Sequence, residues 1–335
     1  MEDILASEIE QGNLLPQLDN QGLDYASVER LSQTAVDHEN LPALVSLAKV
    51  NRYAVSNTLS SDKLTSLGRL AGKGGIYTPR LYFIVRGVVD TKRRKIFRRL
   101  ARSSLLKMSL RVAGQGLRGD VPVRGEYYPG ADFDLDETLE QALETHVTGI
   151  PRLTSREIIA IEKRERKKNG ILMLDASGSM MGNRNINAAL AAAVMAYAMR
   201  RDRYGVIAFN TRAFTIKGIK EDVPVENIID RILDLEAVGY TNIEDALKRG
   251  AFELRGIKSR FKWGILLTDG SYNRGEDPRY LAREFEKLHV INLPGKKSGQ
   301  RVCVELARMG GGRYVAVSRY RDVPRALMKI LQTPW

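Results

Sequence analysis

Three short stretches of the chain carry side chains suited to holding a hard cation. The first is Asp175-Ala176-Ser177-Gly178-Ser179, the second Gly239-Tyr240-Thr241-Asn242, and the third Thr268-Asp269-Gly270. Their functional side chains are hydroxyls and carboxylates, with no histidine or cysteine among them. Such an oxygen set suits Mg2+, which takes octahedral oxygens at about 2.1 Å and keeps several waters. Ser177 and Ser179 stand two residues apart on a tight loop and can face one point, and Thr241 adds a third neutral oxygen. Asp175 and Asp269 bring negative charge, as direct ligands or through bound water. Two carboxylates at one point repel, and a divalent ion resolves that conflict. A blander account has these residues capping strands and helices. It covers the aspartates and serines but leaves Thr241 unexplained.

The elements around these stretches decide whether they meet. The apolar run Ile171–Leu174 leads into the first, and the run Trp263–Thr268 ends in the third. From residue 171 onward, strand-like and helix-like periods alternate. Helices are expected at about 185–200, 225–233, 242–254, 278–287, 302–309 and 323–331. Strands are expected at 204–209, 213–217, 290–293 and 313–317, besides the two runs already named. This alternation predicts a Rossmann-like, doubly wound, mostly parallel sheet covered on both faces, with ligands at the carboxyl ends of its strands. Before it, leucines at three- and four-residue spacing between Tyr25 and Leu110 predict a mainly α-helical region. Gly72–Gly75 reads as a helix stop, Gly114–Gly130 as a loop, and Asp132–Leu143 as a short helix. The expected division is a helical region over 1–165 and a sheet domain over 166–335.

Taken together and in this order, the three stretches resemble the metal-ion-dependent adhesion site of the von Willebrand factor A (VWA) family. The resemblance covers about Ile171–Leu331. It implies that Ser177, Ser179 and Thr241 are direct ligands and that Asp175 and Asp269 are ligands or water-bridged supports. It further implies that the bound ion, Mg2+ or Mn2+, keeps one position for a carboxylate from a partner protein. Asp175-Ala-Ser-Gly-Ser-Met, Arg201-Asp-Arg-Tyr-Gly-Val-Ile-Ala-Phe and Thr268-Asp-Gly resemble the D subunit of magnesium chelatase. Asp136-Glu-Thr138-Leu139, a basic run and then the metal loop resemble CoxE- and ViaA-like proteins, which work with MoxR-type AAA+ ATPases. The chain carries no Gly-x-x-x-x-Gly-Lys-[Ser/Thr] phosphate loop, so a chelatase-like role would need a separate ATPase subunit.

Composition narrows the alternatives. With 53 Lys and Arg against 40 Asp and Glu, the formal charge of +13 favours acidic partners without choosing among them. The lone Cys303 excludes an intramolecular disulfide framework. An acidic opening segment and no apolar run of about 20 residues point to a soluble, cytoplasmic chain. A rival to the metal reading is nucleic-acid binding by the basic stretch Lys92–Arg102, with Arg93, Arg94, Arg98 and Arg99 on phosphates. The plainer reading of that stretch is a solvated helix face, and Lys163–Lys168 reads as a solvated linker. Asp132, Asp134 and Asp136 open like a calcium loop but lack the glycine and glutamate that such a loop needs. His38, His146 and His289 are scattered, and Cys303 fits a core position on a helix. With neither a nucleophile–base pair nor a hydrolase elbow, the expectation is a binding protein rather than an enzyme.

Overall fold

The computed structural model describes residues 2–13, 22–69, 75–113, 120–126, 135, 138–139, 158–165, 169–177, 183–200, 202–235, 239–258 and 262–332. Among the described residues seven helices come first: α1 (Glu2–Glu10), α2 (Tyr25–Asp37), α3 (Leu41–Val50), α4 (Arg52–Thr58), α5 (Ser61–Arg69), α6 (Tyr77–Val85) and α7 (Thr91–Ala113). Asn and Asp side chains start several of them. Asp24 accepts from the Ser27 amide, Asn40 from Ala43, and Asn51 from both Tyr53 and Ala54. Leu31, Leu44, Leu47, Leu59 and Leu81 are fully buried among these helices, and the Tyr82 ring meets Phe97 edge-on at 5.8 Å.

Strands β1 (Asp120–Glu126) and β2 (Ile159–Glu165) pair antiparallel, from Asp120 opposite Glu165 to Glu126 opposite Ile159. They belong to a compact unit of residues 117–167 and 334–335. Part of the expected loop at 114–130 is therefore a strand, and part of the expected linker at 163–168 is its partner. A two-stranded ribbon gives each strand an open edge, so Pro122 is tolerated and no long apolar run is required. Within this unit the buried Thr138 hydroxyl receives the Ile159 amide at the start of β2. Only residues 135, 138 and 139 of the expected helix at 132–143 are described, and they are helical. Its three calcium-loop-like aspartates and Gly72–Gly74 lie outside the described residues.

Residues 1–116 and 168–333 form the other compact unit. Its six-stranded sheet has the order β5-β4-β3-β6-β7-β8. The strands are β3 (Asn169–Asp175), β4 (Arg203–Phe209), β5 (Ala213–Lys217), β6 (Lys262–Thr268), β7 (Lys287–Asn292) and β8 (Gly311–Ala316). All pairs are parallel except β4 with β5. The helices between them are α8 (Asn183–Ala198), α9 (Val225–Leu233), α10 (Ile243–Arg255), α11 (Lys297–Met309) and α12 (Val323–Leu331). The stretch expected as a helix to 287 is a 3-10 helix over Pro278–Glu284, because the chain enters β7 at Lys287 rather than at Val290.

Alternation sorts the central strand. Ile171 and Met173 join α10, α11 and the 3-10 helix in one core cluster, so Leu172 and Leu174 face the other side, where α8 lies. On that second face α8, α9 and α12 cover the sheet, and α7 packs on all three of them. The N-terminal helices thus form a further layer over the sheet region rather than a detached body. Every residue of β3 is buried. Such a strand reads as a continuous apolar run, as parallel strands covered on both faces do.

Candidate functional site

From β3 the connection through α8 leads to β4 on one side, whereas β6 lies on the other. The carboxyl ends of β3 and β6 therefore flank a topological switch point, where such sheets open a crevice. Asp175 ends β3 and Thr268 ends β6. The Thr268 hydroxyl donates to Asp175 Oδ2 at 2.7 Å and closes that crevice from within. Asp175 Oδ1 accepts from the Ser177 amide at 3.0 Å and from the Ser177 hydroxyl at 2.5 Å. The carboxylate thus turns the chain out of the sheet and orients two hydroxyl protons toward itself. Ser179 lies outside the described residues.

The other two loops are tied to each other. Asn273 Oδ1 accepts the Thr241 amide at 2.7 Å, while the Thr241 carbonyl accepts the amides of Asn273 and Arg274 at 3.2 and 3.3 Å. Glu244, near the start of α10, accepts from the Glu276 amide at 2.7 Å and from the Tyr280 hydroxyl at 2.9 Å. Its carboxyl is held at about 2, first by the Lys248 ammonium and then by the Glu276 amide. The loop after β6 is therefore fastened to α10 by a charged side chain that neither motif contains. Asp269 Oδ1 receives the Ser271 amide at 2.8 Å. Gly270 between them has φ +76, and a Cβ there would stand 2.1 Å from the Gly299 carbonyl oxygen. Only glycine fits that turn.

Asp175, Ser177, Thr241 and Asp269 are 2, 3, 7 and 8% exposed, so the site is recessed rather than a solvated loop tip. Beneath it, Cys303 Sγ lies 4.0 Å from the Thr268 carbonyl. Burial pushes this thiol up, and the negative charges of Asp269 and Asp175 add to the effect. Among the described residues no three of His, Cys, Asp and Glu converge as a metal group. A cation here must draw on hydroxyls, and this donor set suits a hard divalent ion. Thr268, Asn273 and Glu244 were not singled out by sequence reasoning. Thr268 precedes Asp269 directly, and its place at the end of a predicted strand was the available signal. Asn273 and Glu244 gave none, because their roles depend on contacts about 30 residues away in the chain.

Residues 108–290 match the family described as VWA domain containing CoxE-like protein. The chain belongs to that family. The matched region of this CoxE-like chain runs from α7 through the β1–β2 ribbon to β7. Similar solved structures include BatB from Bacteroides thetaiotaomicron, at 18% identity over 50% of this chain and all of that one, with a TM-score of 0.35. A von Willebrand factor type A structure from Catenulispora acidiphila is 15% identical over 52% of this chain and 44% of its own, with a TM-score of 0.42. Proximal thread matrix protein 1 from the mussel byssus, with a zinc-occupied MIDAS motif, is 17% identical over 49% of this chain and 47% of its own, with a TM-score of 0.41. The chain thus spans less than half the length of the last two. No curated protein matches it.

The four arginines of the rival reading do not share one free face. Arg93 pairs with Asp90 and donates to the carbonyls of Ser56 and Leu59 at 2.9 and 3.3 Å. Arg98 pairs with Asp234 at 2.6 Å, next to Arg102 with Asp230, so this part of α7 is pinned to α9. Arg94 and Arg99 are exposed. His289 is buried on β7, where its Nδ1 accepts the Arg313 amide at 3.0 Å. Burial, with Arg313 and Lys287 nearby, holds its pKa down at about 4. His38 sits at the end of α2, and His146 lies outside the described residues. None of the described helices is long and apolar enough to cross a membrane.

Proposed function

We propose that this CoxE-like chain is a non-enzymatic adaptor that captures an acidic residue of a partner protein through Mg2+ or Mn2+. Asp175, Ser177, Ser179, Thr241 and Asp269 hold the ion in this reading, and the partner is a MoxR-type AAA+ ATPase or its client, in the cytoplasm. The observation that carries the reading is the Asp175 carboxylate, which ties the ends of β3 and β6 and turns the Ser177 hydroxyl proton toward itself. An ion bound there offers a coordination position that an incoming carboxylate fills. The chain's own residues do the rest. Asp175 orients the Ser177 hydroxyl, Asn273 fixes the Thr241 loop, and Glu244 anchors the loop that carries Asp269.

The test is calorimetric titration of Mn2+ into the full chain, followed by capture of a co-expressed MoxR-type ATPase in Mg2+ or EDTA. Saturable Mn2+ binding, lost in Asp175→Ala and Thr241→Ala with unchanged circular dichroism, is the expected result. ATPase capture that persists unchanged in EDTA sinks the proposal.

A further inference from the structure

A groove of about 730 Å³ opens between α3, α4, α6 and the first turn of α8. Its floor is apolar, with Val45, Ala48, Phe83, Ile84 and Ile186. Its rim carries Lys49, Arg52 and Arg80, together with the Tyr53 ring, which is 56% exposed. Among the described residues no Asp or Glu lines it. Among the described residues the ion pairs engage other cations and leave these three out. Arg80 is the telling side chain. Its Nε is buried with no hydrogen-bond partner, and its guanidinium stands 5.9 Å from the Tyr77 ring. A desolvated guanidinium donor without an acceptor is costly, and a carboxylate relieves that cost with a charge-assisted bond.

We infer that this groove docks an acidic segment of a partner protein, with an apolar side chain on the floor and carboxylates on Arg80 and its neighbours. Charge complementarity selects the occupant. Three cations with no ion pair to a described carboxylate, around an apolar floor, reject basic segments and leave a neutral one with no acceptor for the Arg80 Nε. An anionic membrane fits less well, because of the described apolar lining residues only Val50 and Tyr53, at the rim, are exposed, while the floor is recessed. Ile186 belongs to the first turn of α8, which follows the Asp175 loop, so the groove and the loop lie toward the same end of the sheet. The inference rests on the proposed function only in assigning both contacts to one acidic partner. The groove itself needs no metal.

The experiment measures fluorescence anisotropy of a labelled synthetic peptide repeating Glu-Glu-Leu-Phe, titrated with the full chain in EDTA. Saturable binding is expected, weakened about tenfold or more in Arg80→Gln, which removes the charge but no hydrogen bond to a described residue. A peptide with Ser in place of Leu and Phe is expected to bind far more weakly. Equal binding of the two peptides, or wild-type affinity in Arg80→Gln, overturns the inference, since either means diffuse attraction to a basic chain. Absence of saturable binding also overturns it. So does an Arg80→Gln defect confined to phosphatidylserine vesicles, which would assign the groove to membrane. Because EDTA is present throughout, failure here leaves the metal proposal standing, and loss of Mn2+ binding leaves the groove standing.

Discussion

Helices α8 and α10 both lie against the central strands, one on each face of the sheet, yet their sequences differ in kind. In α10 the buried residues Ile243, Ala246, Leu247, Ala251 and Leu254 form one stripe, while Phe252 is 65% exposed. This is the pattern of a helix with water on its far side. In α8 nearly every described side chain from Ile186 to Ala198 is buried, and most are alanine. A helix that is apolar all round must be covered all round, and the alanines let the sheet and α7 both approach closely. The difference teaches that the N-terminal helices are a required third layer over one face. The opposite face is finished by α10, α11 and the 3-10 helix.

The most severe way to break that contrast is to remove the layer. Deleting residues 2–113 uncovers α8, and the remaining chain is expected to self-associate. Light scattering would detect this, and a monodisperse, cooperatively folding fragment would show that α8 needs no cover. Acid is the next largest perturbation. Leu288 and Val290 belong to the α10 side, so His289 between them points to the covered face. Its folded pKa of about 4 lies below the unfolded value of 6.5, so the unfolded chain binds the extra proton first. Stability is therefore expected to fall as pH drops from about 6.5 toward 4, by about 3 kcal/mol at most. Urea unfolding across that range checks this, and His289→Gln should flatten the slope.

Single substitutions sharpen the comparison further. Ala193, fully buried in α8, has no room to grow, so Ala193→Leu should cost about 1–3 kcal/mol in urea unfolding. Phe252→Ala on the open side of α10 should stay within about 0.5 kcal/mol by the same measurement. Equal effects at the two positions would remove the distinction between the faces.

Most of the sheet region was readable in the sequence because its signals are local. Ile171–Leu174 and Trp263–Thr268 are unbroken apolar runs, and the polar residue at the end of each one marks where the chain leaves the sheet. Four of the five candidate ligands fall on described residues, and the loops that carry Asp175, Thr241 and Asp269 meet at one edge. What escaped depends on partners remote in the chain. The β1–β2 ribbon joins two segments with neither clean alternation nor a tight turn between them, so one read as a glycine-rich loop and the other as a charged linker. The clamps of Glu244 on the loop after β6 and of Asn273 on the Thr241 loop are equally invisible, since an exposed glutamate in a first helical turn has the same local signature. The all-round apolar character of α8 was legible. Its meaning required seeing α7 laid across it.

That packing has a mechanical consequence for the Asp175 loop. One end of the loop springs from a strand buried along its whole length, and the other enters a helix gripped between sheet and α7. Both abutments are packed before any ligand arrives, so these two ends surrender little freedom when one binds. Any shift that a ligand does force on α8 meets no solvent to absorb the strain and must be handed on to the helical layer.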